Sequence, residues 1–412
     1  MTRGLKVQLL IWGTVFIFMV GMILHIQQLL FVSLTLALLA PVSYLLSRTS
    51  LRGLRVRRAL PVHMTAGETS EVTLTVVNAG TRARPAFWIE DELPEGLSRG
   101  EAAADLVLDL APHEEREVRY PLSALRRGLF RLGAVQVMTS DALALHDFEE
   151  TLPAQDELLV YPRVLPLPDL WPRSPADRAS ARRTRRRPGG IDPRATREYV
   201  PGDDLRHIHW KVSARRSRMM IVEREQSEGL RATVLLDLNQ GLHAGRGAES
   251  TLEYGVTLAA SLLAQALDEG GSAALAAQAQ HDYSVPGESN PRQRWRLLEA
   301  LARVETDGGG PLPQRAIGLI RRLPRGSAIA VVTPQTGPEM VSLANLLASR
   351  GFRVIWFLLV APTFVLSQRR DLIEDRYRQT AQELNRRGQP AYLVRGGAGG
   401  EAGVGRSMRE RG

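Results

Sequence analysis

The pattern of apolar and polar positions changes character three times along the chain. It opens on two unbroken apolar runs. Val7 to Leu24 reads VQLLIWGTVFIFMVGMIL and Leu29 to Leu46 reads LLFVSLTLALLAPVSYLL, each 18 residues long and without a charge. At ~1.5 Å rise per residue such a run makes a helix of ~27 Å, enough for a thin hydrocarbon core. Only HIQQ separates the two runs, so the helices are expected to run antiparallel. A cleaved leader fits poorly, because the second run follows at once and no small-residue cleavage site divides them. A soluble core helix fits poorly too, since few are apolar all round. Residues 1–50 therefore read as a two-helix transmembrane hairpin. Arg3 and Lys6 precede the first run; Arg48, Arg52, Arg55, Arg57 and Arg58 follow the second; the link holds only His25. The positive-inside rule then places both outer ends, and the soluble domains after them, on the cytoplasmic side of an inner or plasma membrane.

From residue 58 to 168 the period becomes two. VTLTVVN (Val72 to Asn78), AFWIEDELPEGL, REVRYPL and LGAVQVM alternate, with NAG, LPEG and RRG as turns. This predicts an all-β sandwich of the immunoglobulin or fibronectin sort. LLVYPRVLPLP (Leu158 to Pro168) closes it with a strand and a proline-rich exit. Residues 169–190 are rich in Pro, Arg and Ser and read as a basic linker.

Beyond residue 231 strands and helices alternate. RATVLLDLN, AALAAQAQ, SAIAVVT, FRVIWFLLV and PAYLV read as strands, mostly buried on both faces. Glu249–Glu269, NPRQRWRLLEALARV, PQRAIGLIRRL, Pro338–Arg350 and QRRDLIEDRYRQTAQELNRRG read as helices. Leu252, Val256, Ala259, Leu263 and Ala266 give the first of these one apolar face. Alternation of this kind makes a parallel sheet with helices on both faces over residues 231–395. Met219 to Glu225 alternates and is joined to Arg231–Leu238 by a short link, which predicts an antiparallel hairpin at the edge of that sheet. Residues 396–412 are a Gly-rich tail with no expected fold.

Composition changes this picture in two places. The net charge is +9, from 53 basic and 44 acidic residues. Arg182, Arg183, Arg185, Arg186 and Arg187 concentrate it within the linker; a solvated loop is the plain reading, and contact with nucleic acid or anionic lipid the sharper one. The chain has no cysteine, which excludes disulfides and thiolate metal sites. No phosphate loop, nucleophile elbow or His-Glu-x-x-His pair occurs.

One stretch stands apart within residues 191–230: REYVPGDDLRHIHWKVSARR, Arg197 to Arg216. His207 and His209 would share a face on a strand, with Asp203 or Asp204 completing a metal triad. That would make a metal-dependent hydrolase. Adjacent Asp203 and Asp204 point apart in an extended segment, however, and PGDD is turn chemistry, Gly202 tolerating a positive φ and an Asp capping the following amides. The favoured reading is a structural clasp that also shapes a contact surface. In it Trp210 packs as an anchor, while Arg206, Lys211 and Arg215 pair with Asp203, Asp204 or Glu198.

These residues carry a resemblance. Arg197-Glu198-Tyr199, Pro201-Gly202-Asp203-Asp204, Arg206, Ile208-His209-Trp210-Lys211 and Ser213-Ala214-Arg215 match the signature of the domain-of-unknown-function 58 family. The apolar helices, RRGLFRLG, SDALAL and VYPRV are similar to that family's layout. The resemblance implies a C-terminal α/β domain similar to von Willebrand factor type A, a doubly wound sheet. It also implies association with MoxR-type AAA+ ATPases. On that reading the chain is a non-catalytic interaction or scaffold protein whose signature residues are Gly202, Asp203, Asp204, Arg206, His209, Trp210, Lys211 and Arg215. In type A domains a hard cation sits where the first strand ends, held by an Asp, two alternate hydroxyl residues, and a Thr and an Asp from later loops. Here the first strand offers Asp237, Asn239 and Gly241, and IAVVT runs on as Thr333, Pro334 and Gln335 without the later Asp. The threonine has no evident place, Asp237 reads as a cap or turn residue, and no metal or other cofactor is expected.

Overall fold

The computed structural model describes residues 3–100, 105–107, 109–141, 143–172, 195–199, 210–223, 230–277, 280–308, 310–321, 323, 326–365 and 370–397. They fall into two units, Met1–Val160 and Tyr161–Gly412.

The first unit begins with α1 (Arg3–Leu24) and α2 (Gln27–Ser47). Both are long and apolar enough to cross a membrane, and most of their described apolar side chains are exposed, with none of the large ones buried. His25, with φ 54°, makes the turn between them. The strands that follow are β1 (Leu54–Ala59), β2 (Met64–Thr65), β3 (Thr69–Asn78), β4 (Phe87–Asp91), β5 (Leu97–Ser98), β6 (Asp105–Val107), β7 (Glu115–Ala124), β8 (Gly128–Leu132), β9 (Val135–Ser140), β10 (Asp147–Leu152) and β11 (Asp156–Tyr161). They form sandwich-like sheets: β1-β3-β7-β5, β10-β9-β4-β6 and the smaller β2-β11-β8. Alternate residues turn inward. Val72, Leu74 and Val76 of β3, Phe87 and Ile89 of β4, and Val135 and Val137 of β9 share one buried core.

The second unit opens with a strap. Trp171 is buried in the α/β core and its Nε1 donates to Leu262 O at 3.1 Å, while Leu165 N donates to Ser261 Oγ at 2.9 Å. The proline-rich exit, expected to close the β module, thus packs on the α/β unit from Tyr161 onward. Its leucines and Trp171 supply an apolar edge that its prolines keep extended. The basic linker beyond residue 172, with Arg182 to Arg187, lies outside the described residues.

Next come β12 (Ala195–Glu198), α3 (Trp210–Arg216) and β13 (Met220–Glu223). β12 and β13 pair antiparallel, Ala195 opposite Glu223 and Glu198 opposite Met220. This corrects the expected hairpin between Met219–Glu225 and Arg231–Leu238. The strand β14 (Arg231–Leu236) has no open edge to offer, because parallel neighbours occupy both its sides.

The remaining elements are β15 (Gly245–Arg246), β16 (Glu249–Ser250), α4 (Thr251–Asp268), β17 (Ser272–Ala276), β18 (Val285–Glu288), α5 (Gln293–Arg303), α6 (Leu312–Ile320), β19 (Ala328–Thr333), α7 (Pro338–Ser349), β20 (Arg353–Leu359), α8 (Arg370–Arg386) and β21 (Ala391–Val394). The sheet order is β18-β17-β14-β19-β20-β21, parallel except for the β17–β18 pair. Each central strand feeds two cores. Val234, Val332 and Phe357 face α4 and α5; Leu235, Val331 and Trp356 face α6, α7 and α8. Gly255 lets α4 lie close to the sheet, since a Cβ there would stand 3.2 Å from Leu359 and 3.4 Å from both Leu236 and Val332.

Candidate functional site at the carboxyl edge of the parallel sheet

After β14 the chain crosses towards β17 on one side; β19, its other neighbour, comes later. The order of strands therefore reverses between β14 and β19, and in open α/β sheets the crevice at such a reversal, beyond the carboxyl ends of the strands, is where ligands bind. Asp237 follows β14 directly and is 0% exposed. Its carboxylate is fully engaged. Oδ2 accepts from Thr333 Oγ1 at 2.7 Å, at the end of β19. Oδ1 accepts from Arg315 Nη2 at 2.9 Å and from Asn239 N at 3.2 Å. Arg315 reaches in from α6. It is a charged residue three positions after Leu312, on the helix's buried stripe, and burying it there requires a partner.

A second layer closes the backbone. His243 Nε2 lies 2.9 Å from Asp237 O and His243 Nδ1 lies 2.9 Å from Thr251 Oγ1. A carbonyl can only accept, so Nε2 carries the proton and Nδ1 accepts from the threonine. Burial pushes the imidazole below its ordinary value, against the hydrogen bond and charge of Asp237, which act to raise it. Asn239 Oδ1 accepts from Gly241 N at 3.2 Å and caps the short turn Gln240–Leu242.

The residues do not fit a divalent cation. Such an ion needs several oxygens with lone pairs to spare. Here one carboxylate oxygen is taken by a guanidinium, the other by a hydroxyl, and Asn239 is spent on its own turn. No cluster of three or more His, Asp or Glu occurs among the described residues. Asp237 does bond within the following turn, as expected of a cap, but the threonine and arginine bonds are larger parts of its environment. Thr333, read from the sequence only as the end of the IAVVT strand, is its direct partner. Arg315 was not anticipated.

The signature segment is only partly in view. Gly202, Asp203, Asp204, Arg206, His207 and His209 lie outside the described residues, as does the side chain of Lys211. Trp210 opens α3 and is 68% exposed, which corrects its expected role as a packed anchor. The helix it begins is two turns of mostly Arg, Ser and Ala, held by Ser213 Oγ, which accepts from Met220 N at 2.8 Å. Arg215 is exposed on the same helix. Glu198, an expected partner of Arg206, Lys211 or Arg215, pairs with Arg218 at 3.3 Å.

Comparison with known proteins adds relatives of uncharacterised role. The chain is 28% identical over 358 residues to "Uncharacterized protein YeaD" of Bacillus subtilis (strain 168), covering 85% of this chain and 87% of the relative. It is 28% identical over 152 residues to "Uncharacterized protein Rv1480" of Mycobacterium tuberculosis, covering 35% of this chain and 46% of that one. Among solved structures, the CARDB domain of PF1109 from Pyrococcus furiosus is similar at a TM-score of 0.20 and 15% identity, covering 26% of this chain and 94% of that domain. Residues 195–356, which carry Trp210, Asp237, Arg315 and Thr333 alike, match the family described as "Protein of unknown function DUF58".

Proposed function

We propose that this chain is a membrane-anchored, non-catalytic interaction protein. Its α/β unit is a von Willebrand factor type A-like module that presents the signature segment to a cytoplasmic MoxR-type AAA+ ATPase. The observation that carries the reading is Trp210, exposed on a short arginine-bearing helix inside the family segment. Large exposed aromatics beside arginine are typical anchors of protein interfaces. Two further features agree with it. The carboxyl-edge carboxylate is closed off by Arg315, which leaves no metal-dependent chemistry there. Arginines at both outer ends of the helix pair suit a hairpin whose ends lie in the cytoplasm.

The test is a pull-down of the full chain from detergent extract, in parallel with Trp210→Ala. The reading expects an AAA+ ATPase to be enriched by the wild type and lost with the variant. No enrichment by either would remove that partner. Carbonate washing tests the anchor separately: protein stripped from native vesicles is not held by spanning helices.

A further inference from the structure

The end of the β module that receives α2 is built as a rigid plate rather than a tether. Leu51, in the connector between α2 and β1, is buried in the sandwich core. Arg84 Nη1 donates to Thr49 O at 2.9 Å, and Ala79 N donates to Gly53 O at 3.0 Å. Within the last turns of α2, Ser43 Oγ donates to Asp141 Oδ2 at 2.8 Å, and Tyr44 packs on His146 and Phe148 with ring centroids 5.2 and 5.5 Å apart. Both loops that meet the helix are internally braced. Asn78 Nδ2 donates to Arg82 O at 2.8 Å and Ala111 O at 3.0 Å, and its Oδ1 accepts from Gly80 N at 3.0 Å. Asp141 Oδ1 accepts from Leu145 N at 2.7 Å and His146 N at 2.9 Å.

The side chains this plate leaves outside are of two kinds. Arg48, Arg52 and Arg82 are exposed around the foot of α2. Further along, Trp88, 48% exposed, stands directly opposite Leu106, 46% exposed, on the outer face of the β10-β9-β4-β6 sheet. Trp88 is level with Met138, three residues before Asp141, or ~10 Å along a strand. A helix that ends inside this plate brings the arginines to the level where the bilayer ends, and Trp88 with Leu106 to within ~10 Å of the Asp141 contact. Arginines there meet lipid phosphate, and an indole beside an aliphatic chain suits the headgroup boundary.

We infer that the helix-proximal end of the β module sits in the headgroup layer of an anionic bilayer, with Arg48, Arg52 and Arg82 on lipid phosphates and Trp88 with Leu106 at the boundary. The inference rests on the membrane reading of α1 and α2 proposed above. It makes the module a fixed footing for the protein, so that the first soluble domain does not swing on a linker.

The absence of cysteine makes single-cysteine labelling clean. The full chain would be placed in nanodiscs of phosphatidylglycerol or of phosphatidylcholine. A bimane label would be attached in turn at Thr81→Cys, Leu106→Cys, Leu38→Cys and Leu125→Cys. Leu125, at 58% exposed against 46% for Leu106, lies next to the Gly96 contact at the far end of the module. The expected result is quenching at 38 by acyl-chain nitroxide and at 81 and 106 by headgroup nitroxide, with a blue shift, and neither at 125. Quenching at 81 should weaken in phosphatidylcholine and when Arg48, Arg52 and Arg82 are all replaced by Gln. Labels at 81 and 106 as wet as that at 125, with 38 in lipid, overturn the footing and leave the membrane anchor standing. Equal quenching in both lipids, unmoved by the Gln replacements, overturns the role of the arginines. A label at 38 that stays in water overturns the anchor itself.

Discussion

Asp91 in the β module and Asp237 in the α/β unit are both buried carboxylates gripped by an arginine, yet their surroundings differ. Asp91 is enclosed on every side. Arg58 Nε donates to its Oδ2 at 2.8 Å and Arg58 Nη2 to its Oδ1, while Nη1 reaches Asp156 at 2.8 Å and Nη2 reaches Gly133 O at 2.9 Å. The Tyr120 hydroxyl donates to the same carboxylate, and burial pushes that phenol far up, with the Asp91 bond adding to the effect. Neither Arg58 nor Asp91 exposes any side-chain surface. Asp237 has the same chemistry, but it stands at the end of a strand beside the exposed turn of Gln240 and Gly241, and Arg315 keeps 13% of its side chain in solvent. The chemistry alone therefore does not mark a site. Position does: a pair shut inside a sandwich can only staple, whereas one at a sheet's topological reversal is within reach of a partner.

Substituting each pair sharpens that contrast, and the enclosed one should respond most. Asp91→Ala strands a buried guanidinium and is expected to cost about 4 kcal/mol, seen as early thermal unfolding of the detergent-solubilised chain and faster hydrogen exchange in β3, β4 and β7. Arg58→Met combined with Asp91→Leu should recover much of that loss, because a buried ion pair gains little over well-packed apolar groups. A single Asp91→Ala variant that unfolds like wild type would show that water reaches the network.

Arg315→Ala is expected to cost somewhat less, about 3 kcal/mol, since water can approach Asp237 from the edge. The same geometry predicts that neither added Mg²⁺ nor EDTA shifts the melting temperature of the wild-type chain. A rise in melting temperature with Mg²⁺ would mean that the guanidinium yields its place to the ion.

The third effect is smaller and depends on pH. Ser43→Ala removes one of the bonds to Asp141 and should cost about 1.5 kcal/mol, a usual value for a hydrogen bond to a charged group. Burial acts to raise the Asp141 carboxyl, but bonds from His146 N–H, the Ser43 hydroxyl and Leu145 N–H outweigh it and hold the group below its ordinary range. A depressed carboxylate contributes stability above its unfolded value of about 3.9 and loses it as pH falls through the lower folded value. The variant should therefore melt lower at neutral pH and converge on wild type in acid. Parallel pH curves would show that Ser43 does not bind the ionised form.

The sequence disclosed the scaffold of this site better than its contents, for a physical reason. AIAVVT and RVIWFLL are apolar on both faces, which is the signature of strands covered by helices on each side, and both sit inside the sheet. Asp237 was legible as the polar residue ending such a run. Arg315 was not, because it lies 78 residues further on and meets Asp237 only once the sheet has closed. Its one local trace is a charge on the apolar stripe of α6. The partner of β13 was misread for a related reason. A short link suggested β14, yet a strand apolar on both faces belongs in the middle of a sheet, and the open edge lay back in sequence at β12. Trp210 departs from the expectation of packing because an aromatic in a charged run reads as an anchor, while its side chain stands mostly in solvent on α3.

Trp210 provides the smallest expected effect on stability and the clearest separation of staple from surface. Its indole is mostly in solvent, so Trp210→Ala removes few contacts and should change the unfolding free energy by less than about 0.5 kcal/mol. If α3 is an interface, the same substitution should weaken partner binding about tenfold or more, since exposed tryptophans that anchor interfaces cost over ~1.4 kcal/mol when truncated. Arg215→Gln should weaken it less and in a salt-dependent way, as a rim charge does. The two readouts part company here: a residue that only supports the fold moves stability and binding together, whereas a contact residue moves binding alone. Thermal unfolding and partner capture on the same preparation of Trp210→Ala decide between them, and a variant that loses stability while keeping its partner would return Trp210 to the packing role that its exposure argues against.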